Sequence, residues 1–330
     1  MKNTFIVFLL VAIVFLSGCT SQTQKTQKVY HVGILSGMDF FATTSDGFKE
    51  KMTELGYVEG KDIIYDVQKT EFDMIAYKKI LQKFVADKVD LIFVFPTEAS
   101  QEAKTATQGT GIPVVFANAN IEDTGLVNSV REPGGNITGV RWPGPDLALQ
   151  RFEIMHELVP QVKRMLIPYQ RGYPIVPSEL ESIRPEAATA GITLLEIPAD
   201  NATELEGELQ IIDKTVNNDT DVILIIPEPL LVSPENFAVL GKFAYGHKIP
   251  IGGTLMKVGN YESLFGLTPQ NIAVGRLAAP LADKILRGMP AGTIPVVSAE
   301  GFFQINYKLA QTLNLNVSEG LLRRANEIIR

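Results

Sequence analysis

Short apolar, β-rich runs alternate with amphipathic stretches of helical period along nearly the whole chain, and few folds satisfy that alternation. In the first third the runs fall at residues 29–35 (VYHVGIL), 63–67, 91–95 (LIFVF) and 112–116 (IPVVF). Between them lie stretches with Phe48, Met52 and Leu55, then Met74, Tyr77, Ile80, Leu81, Phe84 and Val85, at helical spacing. A third, Ala/Thr-rich stretch follows the 91–95 run. Thr44, Ser45 and Asp46 offer caps for the first helix. Strands separated by single crossover helices pair in parallel, so the expected fold class is α/β, a doubly wound parallel sheet covered on both faces.

The pattern is interrupted once, between residues 112 and 142. An apolar run ends there in Asn118 and Asn120, and the chain then bends through Pro133-Gly134-Gly135-Asn136. It resumes as a second extended run, 137–142, after which the same grammar starts afresh. Strands are expected at 164–167, 193–197, 222–226 and 250–251, with helices at 178–190, 203–216 and 234–245 between them. A strand at 263–267 leads to a helix ending at Gly288. Runs at 295–297 and 302–305 then cross back, and helices are expected at 307–313 and 318–329. A chain of 330 residues is long enough for two ordinary cores. The expectation is two doubly wound lobes joined by several linkers, with a hinge: lobe 1 from 29–139 plus about 262–290, lobe 2 from about 140–261 plus 291–330.

Parallel sheets bind ligands at the carboxyl ends of their strands. In the first lobe those ends carry Ser36, Gly37, Thr97, Glu98, Asn118 and Asn120; in the second they carry Tyr169, Gln170, Glu228, Gly253 and Thr254. Taken singly, each is also an ordinary cap or turn residue; taken as a set on two facing rims, they form the expected ligand site. Backbone N–H groups near Ser36-Gly37 and Thr97 would suit a carboxylate, Glu98 or Glu228 an ammonium, and Tyr169 a ring. Trp142 is open between cleft and core.

Several chemistries are excluded. There is no GxxxxGK[ST] loop, no GxGxxG after the first strand and no GxSxG elbow. The three His residues are scattered, Cys19 is the only Cys, and Glu122 and Asp123 are adjacent, so their carboxylates point apart. No cofactor, no metal and no catalytic apparatus is therefore expected, and the chain is read as a binding protein. A net charge of -7 argues against nucleic acid as a partner.

The amino end reads as an address. Lys2 precedes an apolar run of residues 4–16, too short to span a bilayer, which closes on Leu16-Ser17-Gly18-Cys19. Small residues before a lone Cys are similar to a lipoprotein signal of residues 1–18. Cys19 is then the acylated site (diacylglyceryl and palmitate-type chains), and polar residues 19–28 form a flexible tether. The working protein is expected outside the cytoplasm, lipid-anchored to the membrane.

With this end, the segments at 47–63 (GFKEKMTELGYVEGKDI), 112–118 (IPVVFAN), 125–140 (GLVNSVREPGGNITGV) and 285–296 (ILRGMPAGTIPV) resemble one family. It is the family of ABC-transporter substrate-binding lipoproteins whose studied members bind aromatic amino acids such as tryptophan and tyrosine. The resemblance covers nearly all of the mature chain, and PGGNITGV is its most specific part. It implies a two-lobed periplasmic-binding fold of type I-like form, a ligand held between lobes by reversible closure, and a permease with its ATPase as partners. A monomer is expected. The chain departs from the family pattern at Asn120-Ile121-Glu122-Asp123, at 141–146 (RWPGPD) and at 171–180 (RGYPIVPSEL). These segments fall at or beside the expected cleft, so the ligand stays open within the class of amino acids and similar small polar solutes. A tethered ligand sensor and an exported α/β enzyme are the alternatives.

Overall fold

The computed structural model describes residues 28–330; the lipoprotein signal, Cys19 and nearly all of the tether lie outside the described residues. The chain begins with β1 (Tyr30–Ser36), α1 (Thr43–Glu54), β2 (Ile63–Lys69), α2 (Met74–Ala86), β3 (Leu91–Phe95), α3 (Thr97–Ala106), β4 (Val114–Ala119) and β5 (Ile137–Arg141). β3 and β4 are buried along their whole length, as strands covered on both faces must be. The α2 helix starts at Asp73, whose carboxylate accepts the N–H groups of Ile75 and Ala76. Its buried face is Tyr77, Leu81 and Phe84, while Met74, expected on that face, is exposed. Thr44, Ser45 and Asp46 lie inside the first turns of α1 rather than before it, and Ala42 stands at the cap.

The second round consists of α4 (Gly144–Leu158), β6 (Arg164–Gln170), α5 (Val176–Ala190), β7 (Thr193–Ala199), α6 (Ala202–Asp213), β8 (Asp221–Leu224), α7 (Pro229–Val232), α8 (Pro234–His247) and β9 (Ile251–Gly252). A small hairpin, β10 (Lys257–Val258) and β11 (Tyr261–Glu262), leads to β12 (Phe265–Thr268) and α9 (Asn271–Leu286). The chain finishes with β13 (Val297–Ser298), β14 (Phe302–Asn306), α10 (Tyr307–Thr312), α11 (Glu319–Arg324) and β15 (Glu327–Ile329).

Two parallel sheets result. The first has the order β13-β5-β4-β3-β1-β2, the second β7-β6-β8-β9. A mixed sheet, β12-β14-β15, extends the second one through a bridge between Gly253 and Gly266. The late segments therefore sort differently from the boundaries read in the sequence. β12 lies with the second sheet, because it pairs antiparallel with β14. β13 lies with the first, as the parallel neighbour of β5. The chain passes between the lobes after β5, after β12 and after β13.

The helix expected over 318–329 breaks at Ala325. Asn326 exchanges hydrogen bonds with the backbone of Phe303, and the β-branched Ile328 and Ile329 continue as a strand beside β14. In the first lobe α9 packs across α1 at unusually short range. A Cβ on Gly275 would stand 2.0 Å from the Thr44 carbonyl oxygen, and one on Gly47 2.0 Å from that of Ile272. Only glycine permits that approach. Phe48 of α1 stacks on Phe93 of β3 with ring centroids 4.2 Å apart, which seats α1 on the sheet. Among the described residues no helix is long and apolar enough to cross a membrane.

Candidate functional site

The carboxyl ends of both sheets open on one cleft. From the first lobe come Met38, Phe40 and Phe41 in the turn after β1, Thr97 at the start of α3, Asn118 and Asn120 at the end of β4, and Trp142 after β5. From the second come Tyr173 and Ile175 after β6, Pro227, Glu228 and Pro229 after β8, and Thr254 after β9. The space enclosed between the lobes is small, about 60 Å³.

The first rim is held by short neutral hydrogen bonds. Asn118, whose φ of 47° turns the strand end sharply, donates from Nδ2 to Thr44 Oγ1 at 2.8 Å. The Asn120 N–H donates to Thr97 Oγ1 at 3.0 Å. Both side-chain Oδ1 atoms are buried without a protein partner. Phe40, Phe41 and Trp142 meet edge to face, at 4.9 and 6.4 Å between centroids, and Trp142 Nε1 is buried and unpartnered. Trp142 is thus a cleft residue.

The second rim supplies the carboxylate that lines the cavity. Glu228 accepts N–H groups from Gln170 (3.1 Å), Leu230 (2.8 Å) and Leu231 (2.9 Å), the last two at the start of α7. Burial pushes its carboxyl up to about 7, although those three donors favour the charged form. Burial likewise raises Glu98 on α3, against the opposing pull of its own N–H and of the Tyr173 hydroxyl. The Tyr173–Glu98 contact joins the two lobes across the cleft, and burial followed by the charges of Glu98 and Glu228 raises the phenol.

Behind this rim, Arg151 of α4 and Glu179 of α5 are wholly buried, Arg151 Nη1 lying 3.7 Å from Glu179 Oε2. Arg151 Nε donates to the Leu267 carbonyl at 2.9 Å. Burial raises the Glu179 carboxyl and lowers the Arg151 guanidinium, each partner partly offsetting the other's shift. A Cβ on Gly144 would touch both Glu179 Oε1 and Asn120 Oδ1, at 2.8 and 3.0 Å. The buried pair therefore reaches to the edge of the cleft.

Of the residues expected at the site, Thr97, Asn118, Asn120, Glu228 and Thr254 line it. Glu98 stands beside it through Tyr173. Gln170 touches it only through its N–H to Glu228. Ser36 is buried at the end of β1 with Oγ unpartnered and does not reach the cavity. The Gly37 N–H, expected to be free for a carboxylate, is bonded to the Phe95 carbonyl at 2.8 Å, while its own carbonyl accepts the Tyr77 hydroxyl. Tyr169 lies among Glu196, Arg184 and Arg171 rather than in the cleft, because alternate residues of a strand point to opposite faces. Gly253 works in the backbone, bonded to Phe265 and Leu267 where β9 meets β12. The sequence reading missed Tyr173, Phe40, Phe41 and the Arg151–Glu179 pair. The one signal for Tyr173 was its place in the 171–180 stretch, just beyond a strand end.

Two facing α/β lobes with a cleft at their strand ends define a solute-binding protein of the periplasmic-binding, type I-like class. A family model for ABC transporter substrate-binding proteins matches residues 32–329, and the chain belongs to that family. It is 27% identical over 300 residues to the Tyrosine-binding protein of Clostridioides difficile (strain R20291), spanning 86% of this chain and 81% of that protein. Its fold is similar to an ABC domain from Streptococcus pneumoniae solved in complex with L-Trp (TM-score 0.77, 22% identity, 92% of this chain and 100% of that one). It is also similar to a conserved domain protein from Vibrio cholerae (TM-score 0.75, 23% identity, 92% and 99%).

Proposed function

We propose that this chain is the extracytoplasmic receptor of an ABC importer, anchored by a lipid on Cys19. It captures a small solute bearing an amino group between its lobes and delivers it to a membrane permease driven by an ATPase. The observation that carries this reading is the single cleft onto which both sheets turn their polar strand ends, with Glu228 and Tyr173 on one side and Thr97, Asn118 and Asn120 on the other. Closure of one lobe on the other would surround the solute and exclude water from its polar contacts. The aromatic-amino-acid ligands named for relatives support an amine with an apolar body as the solute class.

A thermal-shift screen of the chain from Lys25 onward, against amino acids, amines, nucleosides and sugars, tests the reading. A ligand at about 100 times its Kd adds about 2.7 kcal/mol, which raises Tm by several degrees. Failure of every solute to raise Tm or to alter Trp142 emission would overturn solute capture. Cys19→Ala tests the anchor: the variant leaves the membrane fraction, and continued tight attachment would refute lipidation at Cys19.

A further inference from the structure

The described chain begins at Lys28, nine residues on from Cys19. At ~3.3–3.6 Å per residue, such a span reaches at most about 30 Å. A lipid on Cys19 therefore keeps the place where the chain enters the first lobe close to the bilayer. That place is the amino edge of the first parallel sheet: β1 starts there and runs toward the cleft.

Three loops are tied together at this edge. The Tyr30 N–H donates to the Asp62 carbonyl, and its hydroxyl donates to the Leu286 carbonyl at the end of α9. The Tyr57 hydroxyl donates to Asp283 Oδ1, and its ring centroid lies 6.0 Å from that of Tyr30. Val29, Val58 and Met289, one from each loop, remain 43%, 50% and 47% exposed beside this knot. One such side chain would be ordinary; three drawn to one edge make an apolar base. The turn at 130–134 joins the same edge, since the Gly134 N–H donates to Gly292 and the Val130 carbonyl accepts from Val296.

The free charge at this edge is positive. Asp90 is engaged by Lys28, Asp283 by Arg287, Asp87 by Lys83 and Glu59 by Lys49, while Asp62 accepts the Val58 N–H. Lys61, Lys88, Arg131 and Lys284 are exposed and enter no ion pair among the described residues; Glu132 is the free acid set against them. In a chain of net charge -7, a surplus of unpaired cations is the exception. The cleft edge of the same sheet is the reverse. Its exposed Phe72 and Ile75 stand among Asp39, Glu71 and Asp73, which anionic lipid repels.

Resting on the lipid anchor at Cys19, we infer that the amino edge of the first lobe is a second, weaker membrane contact, made with anionic lipid. Lys61, Lys88, Arg131 and Lys284 meet the headgroup phosphates, and Val29, Val58 and Met289 enter the boundary between headgroups and acyl chains. The anchor fixes the chain to the membrane, and this face fixes how it stands there. The cleft is then held about 20 Å above the headgroups, the length of the seven-residue β1.

Co-sedimentation of the chain from Lys25 onward, which carries no acyl group, tests the face apart from the anchor. It is expected to bind vesicles of phosphatidylcholine with phosphatidylglycerol, to be released by salt, and to leave pure phosphatidylcholine alone. Lys61→Glu/Lys284→Glu weakens that binding by about tenfold or more, whereas Lys242→Glu, an exposed site on the second lobe, changes it by less than about twofold. No binding to the mixed vesicles, or an equal loss at Lys242, would overturn the membrane face whatever holds Cys19. In the acylated full-length chain on membranes, Met289→Cys reacts slowly with a water-borne maleimide and Ile75→Cys reacts fast; equal rates would overturn the orientation. A Cys19→Ala chain that stays on membranes after a salt wash would refute the anchor alone, and vesicle binding of the acyl-free chain would still support the face.

Discussion

The two rims of the cleft are built alike and do different work. Each is a row of strand ends on a parallel sheet. The first rim offers amides, hydroxyls and aromatic edges, most of them fixed by neutral bonds such as Asn118 to Thr44 and Asn120 to Thr97. The second offers Glu228 and the Tyr173 phenol, and behind them a buried ion pair. Among the groups that line the cavity itself, the first rim supplies shape and the second the carboxylate, Glu228; Glu98 of the first lobe stands beside the cavity, against Tyr173. A rim of neutral groups can be rigid at little electrostatic cost, whereas the buried Glu228 carboxylate is held by three N–H groups.

That contrast can be broken most forcefully at Arg151. Arg151→Met leaves Glu179 buried without its partner and is expected to cost about 3–5 kcal/mol in denaturant unfolding. The double variant Arg151→Met/Glu179→Leu recovers most of that loss. A double variant as unstable as the single one would show that the guanidinium matters through packing and its Leu267 bond instead.

Acidity gives the next largest effect. Burial raises the Glu228 carboxyl from the ordinary 4.5 to about 7 in the folded chain, and raises that of Glu179 as well. A carboxyl raised on folding favours the folded state below its unfolded value, and that contribution disappears as pH rises through the folded one. The ligand-free protein is therefore expected to lose stability between about pH 4.5 and 7, by on the order of a few kcal/mol in total. Glu179→Gln flattens the curve, while Asn118→Ala, on the uncharged rim, leaves its slope unchanged. Melting temperatures across the window decide it.

On the first lobe the largest expected effect is steric. Gly275→Ala drives a methyl into the Thr44 carbonyl and is expected to cost about 1–3 kcal/mol, with Thr44 and so Asn118 displaced. Smallest is Asn118→Ala itself, which removes one neutral bond worth about 1 kcal/mol and weakens ligand binding by less than Glu228→Gln does. Equal losses at Asn118 and Glu228 would erase the distinction between a shaping rim and a charged one.

Much of this architecture is legible in the sequence, because buried parallel strands read as continuous apolar runs: 91–95 and 112–116 announce β3 and β4. The strand ends point to Thr97, Asn118, Asn120, Glu228 and Thr254 for the same reason. Side-chain parity is what fails at Tyr169, one strand position from the cleft face. Phe40, Phe41 and Tyr173 sit on turns after strands, and a lone aromatic there looks like core. Arg151 and Glu179 are 28 positions apart on two amphipathic helices, where a charged residue ordinarily faces water; only the packing of α4 on α5 brings them together. β15 was hidden because Leu321, Leu322, Ile328 and Ile329 repeat at a spacing a helix also gives.

The first lobe is written in two instalments. Its sheet and one helical layer come early, but α9 and the edge strand Val297–Ser298 arrive only after the whole second round has been made. Until they do, Phe48 and its neighbours lack the cover that Val274, Ala278 and Ala282 supply. Neither lobe is continuous in the sequence, so a cut after β5 leaves the first lobe without α9 and its edge strand.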